Sequence, residues 1–226
     1  GANGDLSSEA TTNFAIADTS LVTKIFIAGT NGESALLERR SDTRFWTLNG
    51  KHLARKDATD LLLKTFARAE VKGAVPELQR STVIRNLSGS GKKVEIYLGD
   101  DKLEKTWYIG TATPSHTGTY MLLETPEDGK SQEPFIVHLE GFVGFLSTRF
   151  FTNETEWRYT GVFDFPGRTL AEVKITDHES PSKSYSIKST VDGEISLFNE
   201  SGYSVDFTDT LRIQDKFLRF RKVHFE

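Results

Sequence analysis

The chain contains no cysteine and a single methionine among its 226 residues. The first absence removes disulfides, thiolate metal sites and cysteine nucleophiles together. It leaves the compartment open, since envelope proteins of bacteria often lack cysteine too. No run of about 18 apolar residues occurs, so no segment reads as a membrane-spanning helix. A strong excess of one charge is missing as well: 28 Lys and Arg stand against 32 Asp and Glu, a formal net charge of −4. Without a dense basic patch, nothing draws the chain to nucleic acid or to an anionic membrane surface. What is present is aromatic: 11% of residues, including 16 Phe, beside a charged fraction of 27%. That composition is globular, and the length suits one large domain or two modest ones, each with its own core. The polar start from Gly1 to Glu9 carries no initiating Met and reads as a cut edge, with a signal or membrane anchor expected upstream.

Periodicity divides the chain. Val22-Thr23-Lys24-Ile25-Phe26-Ile27 is a β-branched run, followed by the hairpin signal Asn31-Gly32. Ala35–Arg39 and Arg44–Leu48 follow as strands, closed by Asn49-Gly50. The period then turns helical: Ala58, Leu61, Leu62, Thr65, Phe66 and Ala69 share one face between Lys56 and Ala69. Val71 and Val75 lead out to Pro76. A second helix is predicted over Glu77–Leu87, ended by Ser88-Gly89-Ser90-Gly91. Strands recur at Lys93–Leu98, Glu104–Ile109, Thr119–Glu124 and Phe135–Leu139, with a short helix expected within Phe142–Phe151.

The last third repeats the first. Leu170–Ile175 resembles the opening strand, and Tyr185–Lys188 and Glu194–Phe198 mirror the second and third. From there the copies align without a gap: Trp46 with Phe198, Gly50 with Gly202, Asp57 with Asp209, Leu61 with Ile213, Phe66 with Leu218 and Val71 with Val223. A period of about 150 residues is far too long for a solenoid. The expectation is therefore an α+β protein of two related lobes, each an antiparallel sheet covered by an amphipathic helix. A strand-rich segment is inserted in the first. The lobes divide as residues 1–155 and 156–226, joined through the stretch Asn153–Arg168.

Motifs that carry chemistry are sparse. The histidines His52, His116, His138, His178 and His224 lack metal-ligand spacing and read as turn or surface residues. Gly89-Ser90-Gly91-Lys92-Lys93 and Gly129-Lys130-Ser131 lack the earlier glycine that a phosphate-binding loop requires, Asn86 and Glu124 standing there instead, and read as turns. Ser180-Pro181-Ser182-Lys183 fits a Ser-x-x-Lys pattern, but its proline and flanking strands suggest a hairpin tip. No catalytic, metal or cofactor-binding residue is assigned, although dispersed carboxylates leave a hydrolase open. Asp57, Asp60, Glu154 and Glu156 read as helix-start and surface charges.

The aromatic segments offer more. Phe45-Trp46, Trp107-Tyr108, Phe142–Phe151 and Trp157 are candidates for a sugar-stacking or protein-binding face, although strand alternation places many such residues in a core. The candidate interaction surface is Phe142, Val143, Phe145 and Leu146 with Trp157, because Gly141 and Gly144 set bulky apolar residues in what reads as a loop.

An ordered series of segments also resembles domain-of-unknown-function family 4340. Those segments are Thr23–Ile27, Phe45–Gly50, Ala54–Ala58, Lys93–Leu98, Gly118–Leu123, Gly141-Phe142 with Arg149–Thr152, and Glu156–Arg158. The resemblance implies a bacterial cell-envelope protein with an N-terminal anchor and an extracytoplasmic, periplasmic body. It also implies kinship to accessory parts of ABC-type export systems, including gliding-type ones, and it supplies no catalytic residues. The expected function is non-enzymatic: binding a protein partner in the envelope, without cofactor or nucleic acid, with the membrane reached only through that anchor. The alternatives are a carbohydrate- or lipid-binding module or hydrolase, with Trp46, Trp107 or Trp157 lining a pocket, and a structural spacer.

Overall fold

The structure, a computed structural model, describes residues 12–39, 46–99 and 101–159, together with three further strands. Those strands are β11 (Glu172–Ile175), β12 (Tyr185–Ser189) and β13 (Ile195–Asn199). Arg44, Phe45, the Ser180–Lys183 motif, His178, His224 and the helix expected after Asp209 lie outside the described residues.

The protein is mixed α and β, built on a large antiparallel sheet of ten strands. In chain order these are β1 (Val22–Ala28), β2 (Ser34–Glu38), β3 (Thr47–Leu48), β4 (His52–Leu53) and β5 (Ala69–Ala74), then β6 (Lys92–Leu98), β7 (Lys102–Ala112), β8 (Thr119–Thr125), β9 (Gly129–Lys130) and β10 (Phe135–Leu139). Their spatial order is β4-β3-β2-β1-β6-β7-β8-β10-β5, with β9 paired to β8. The strands expected as an insertion are thus not a separate layer. They continue the sheet of the opening unit through the β1–β6 pair, which runs from Ala28 against Lys93 to Val22 against Leu98.

Alternation along the strands sorts the two faces, as a period of two requires. Ile25, Ile27, Leu37, Val94, Ile96, Trp107 and Val137 point inward and are fully buried. Helix α1 (Lys56–Arg68) lies on this face through Ala58, Leu62 and Phe66. Leu61, expected on the same stripe, is instead 40% exposed, because the stripe that meets the sheet is centred on Leu62 and Phe66. Trp107 is the hub of this core. Phe14 from the leader, Phe66 from α1 and Phe150 from the returning chain meet its ring edge-to-face, at centroid distances of 6.0, 5.1 and 6.4 Å.

The leader is held by β7 side chains. The Lys105 ammonium donates to the carbonyls of Asn13 and Ala15, both at 2.7 Å. Between them, Trp107 Nε1 donates to the carbonyl of Phe14 at 3.1 Å. Three consecutive carbonyls are thereby satisfied by two neighbours on one strand face, and burial pushes the Lys105 ammonium below the usual lysine range.

Helix α2 (Glu77–Ser90) covers part of the opposite face. It runs three residues beyond its expected end at Leu87 and stops at Gly91, where a Cβ would collide with the Leu87 carbonyl oxygen. Val83 and Leu87 pack on Leu122, with Tyr108, Tyr120 and Ile136 around them. Residue 110 beneath the helix is glycine for a steric reason: a Cβ there would stand 2.9 Å from Leu87 Cδ2 and 3.1 Å from the Tyr120 carbonyl oxygen.

Three local readings are corrected. The run after α1 is the strand β5, paired with β10 at the sheet edge, rather than a simple lead-out to Pro76. The helix expected within Phe142–Phe151 is only a 3₁₀ turn, Ser147–Arg149. The hairpin at Asn49-Gly50 carries an additional short strand, β4, and both turn residues have positive φ, 52° and 67°.

The chain around residue 157 packs back on the segment that precedes α1. In the one-turn helix α3 (Glu154–Trp157), Trp157 is fully buried. Its carbonyl accepts from Arg55 N at 2.8 Å, and Tyr159 N donates to Leu53 O at 2.8 Å. Separately, β11, β12 and β13 form an antiparallel meander in sequence order.

Candidate functional site

The segment after β10 builds an apolar tip. Phe142 N donates to Leu139 O at 3.1 Å, closing a turn in which Gly141 has φ +78°. That sign is what the third position of a type II turn demands, and it suits glycine. Phe142 then folds back over Gly144, where a Cβ would come within 2.8 Å of the ring. Beyond the tip the chain re-enters the core: Leu146 is 1% exposed, and its N–H donates to the buried Thr119 Oγ1 at 2.7 Å. Ser147 Oγ donates to Gly110 O at 2.8 Å. The tip is therefore fixed at both ends by the sheet.

Of the five residues expected at an interaction surface, two are presented to solvent: Phe142 at 40% and Val143 at 86% exposure. Phe145 is half-buried, its ring edge-to-face with His116 at 5.5 Å. Leu146 and Trp157 are not on the surface. Leu146 anchors the returning chain, and Trp157 donates through Nε1 to Phe151 O at 2.6 Å inside the core. Phe142, Val143, Phe145 and Leu146 share one apolar run, so nothing local separates the exposed pair from the buried Leu146.

A cation lies against the tip. The Arg149 guanidinium stacks 4.6 Å from the centre of the Phe142 ring, while its Nη1 donates to Thr65 Oγ1 on α1 at 2.9 Å. Burial pushes its pKa below the ordinary arginine range, and the described residues place no carboxylate within ion-pair distance of it. The tip thus joins two exposed apolar side chains to a pre-set positive group.

Two other constellations emerge that spacing did not reveal. His52, expected at a turn or surface, is 5% exposed; its Nε2 lies 2.9 Å from Glu154 Oε1, and its buried Nδ1 has no hydrogen-bond partner among the described residues. Asn49 completes this clasp: Nδ2 donates to Glu154 Oε2 at 2.8 Å, while Oδ1 accepts from Leu36 N at 2.8 Å. The Asn49 bond is the main cause that holds the Glu154 carboxyl below the usual range, with His52 and Lys51 assisting. Among the described residues no group of three or more His, Asp or Glu is placed to hold a metal ion.

The second is a cleft of about 380 Å³ between the end of α2 and the outer sheet face. Tyr108 lines it, and its hydroxyl donates to Glu124 Oε1 at 3.1 Å. Burial, then Glu124, pushes this phenol up to about 12. The three tryptophans line neither this cleft nor the tip. Trp46, Trp107 and Trp157 are at most 1% exposed, which removes the stacking platform that a tryptophan-lined pocket would need.

Compared with known protein families, with curated proteins and with solved structures, the chain finds no match in any of the three.

Proposed function

We propose that this chain is a non-enzymatic, extracytoplasmic part of a membrane-anchored envelope protein that binds a protein partner through the Phe142–Val143 tip. The observation that carries the reading is the exposure of these two apolar side chains on a turn fixed by Gly141, with the Arg149 guanidinium stacked on Phe142. A rigid aromatic anchor beside an arginine is the composition that hot spots in protein interfaces favour, and rigidity lowers the entropy lost on docking. The envelope setting and the accessory role in transport or assembly rest on the resemblance to domain-of-unknown-function family 4340. The meander β11–β12–β13 has the strand order of β1–β2–β3, which supports an internal duplication. On this reading the chain is two related units, the first enlarged by the strands that extend its sheet.

The test is affinity purification of the full-length protein from its native membranes, for the unaltered chain and for a Phe142→Ser, Val143→Asp variant. One stoichiometric protein partner that is recovered with the former and lost with the latter supports the proposal. Equal recovery with both, or no partner with the unaltered chain, overturns it.

A further inference from the structure

The cleft under α2 is separate from the tip. Its floor is apolar, made by Ile84 and Leu87 of the helix, Leu122 of β8 and the ring of Tyr108. Its rim carries Lys93 and Lys130, both exposed. A third lysine of the lining, Lys92, is committed elsewhere: its ammonium donates to Phe150 O at 2.6 Å. Among the described residues no carboxylate belongs to the lining. The nearby acids are occupied by phenols, Glu124 by Tyr108 and Glu95 by Tyr97 at 2.9 Å. Lys130 Nζ rests 4.2 Å from the centre of the Tyr108 ring, and the described residues give neither Lys93 nor Lys130 an ion-pair partner.

Two ammonium groups above an apolar floor, in a cleft whose volume falls in the range of small-molecule sites, point to one kind of occupant. We infer that this cleft binds a single-chain amphiphile with an anionic head, its aliphatic chain on Ile84, Leu87 and Leu122 and its head between Lys93 and Lys130. The orientation follows from α2. The carbonyl end of that helix, at Ser88–Gly91, carries partial negative charge and disfavours an anion there, so the head faces the lysine rim and the chain the helix. Tyr108 stays a neutral phenol at physiological pH and adds no competing negative charge beneath the head.

The probe is sodium decanoate below its micellar range, titrated calorimetrically into the full chain, with acetate and decanol as controls. Saturable decanoate binding is expected, with acetate silent and decanol weaker. A Lys93→Gln, Lys130→Gln variant weakens decanoate by about five- to tenfold, the scale of two partly exposed charge contacts. Ile84→Glu, at a half-exposed position, abolishes binding, with the far-ultraviolet circular dichroism of the variant checked against the unaltered chain. Three results overturn the inference: no saturable decanoate binding, an affinity changed less than about twofold by the lysine substitutions, or equal binding of acetate.

Discussion

Replacing Phe14 with alanine tests whether the leader belongs to the core of the sheet. The Phe14 side chain is fully buried, and its ring meets Trp107 edge-to-face at 6.0 Å. Truncation removes the transfer free energy of a whole aromatic side chain and leaves a cavity beside Trp107, which together cost about 3–5 kcal/mol. The neighbouring clamp limits collapse into that space, because Lys105 and Trp107 keep the carbonyls of residues 13–15 in place. The upper half of the range is therefore expected. All three tryptophans of the chain, at positions 46, 107 and 157, are buried in the sheet core, so their emission during urea unfolding reads that core directly. The exposed substitution Leu78→Ala, at a side chain 96% accessible, serves as the control and should move stability by less than about 0.5 kcal/mol. If Phe14→Ala shifts the transition no more than Leu78→Ala does, the leader is not part of this core and the reasoning fails.

Other outcomes follow from the same geometry. Gly110→Val forces a side chain against Leu87 and the Tyr120 carbonyl and should destabilise by about 1–3 kcal/mol in the same assay. Glu154 has a folded pKa held below its unfolded value, so its contribution is present above the unfolded pKa and is lost as pH falls through the folded one. Glu154→Gln should flatten that acid limb at a cost of roughly 1 kcal/mol near neutral pH, the modest size fitting a partly exposed group. Alkaline titration followed by tyrosinate absorbance should show the Tyr108 phenol ionising at about 12, and Tyr108→Phe should remove that contribution.

Much of the sheet was legible because its strands alternate cleanly. The run Val22–Ile27 and the segment Phe135–Leu139 stand in the structure within a residue of their expected limits. Strand β5 was not, since Ala69-Glu70-Val71-Lys72-Gly73-Ala74 holds a single β-branched residue and follows a helix directly. Pairing with β10, more than 60 residues away, is what makes it a strand. The merging of opening and inserted strands was hidden for the same reason: which edge a strand joins is decided by tertiary packing, not by its own pattern. At the tip, two glycines around bulky residues marked Phe142 and Val143. Nothing local separated them from Leu146, whose burial depends on Thr119 in another strand. Trp157 lay in a stretch whose polar, proline- and glycine-containing composition suggested a junction, yet the indole needs the core that Phe151 borders. The cleft gathers residues from the end of β1, from α2 and β6, and from β7, β8 and β9, and could not be read from spacing at all.

The central claim is tested most directly by a photo-crosslinking amino acid placed at Val143 in the full-length protein and irradiated in its native membranes. The account predicts one discrete protein adduct from position 143 and none from the same group at Leu78, a still more exposed apolar side chain on α2. No adduct at 143, or the same mixture from both positions, would contradict it.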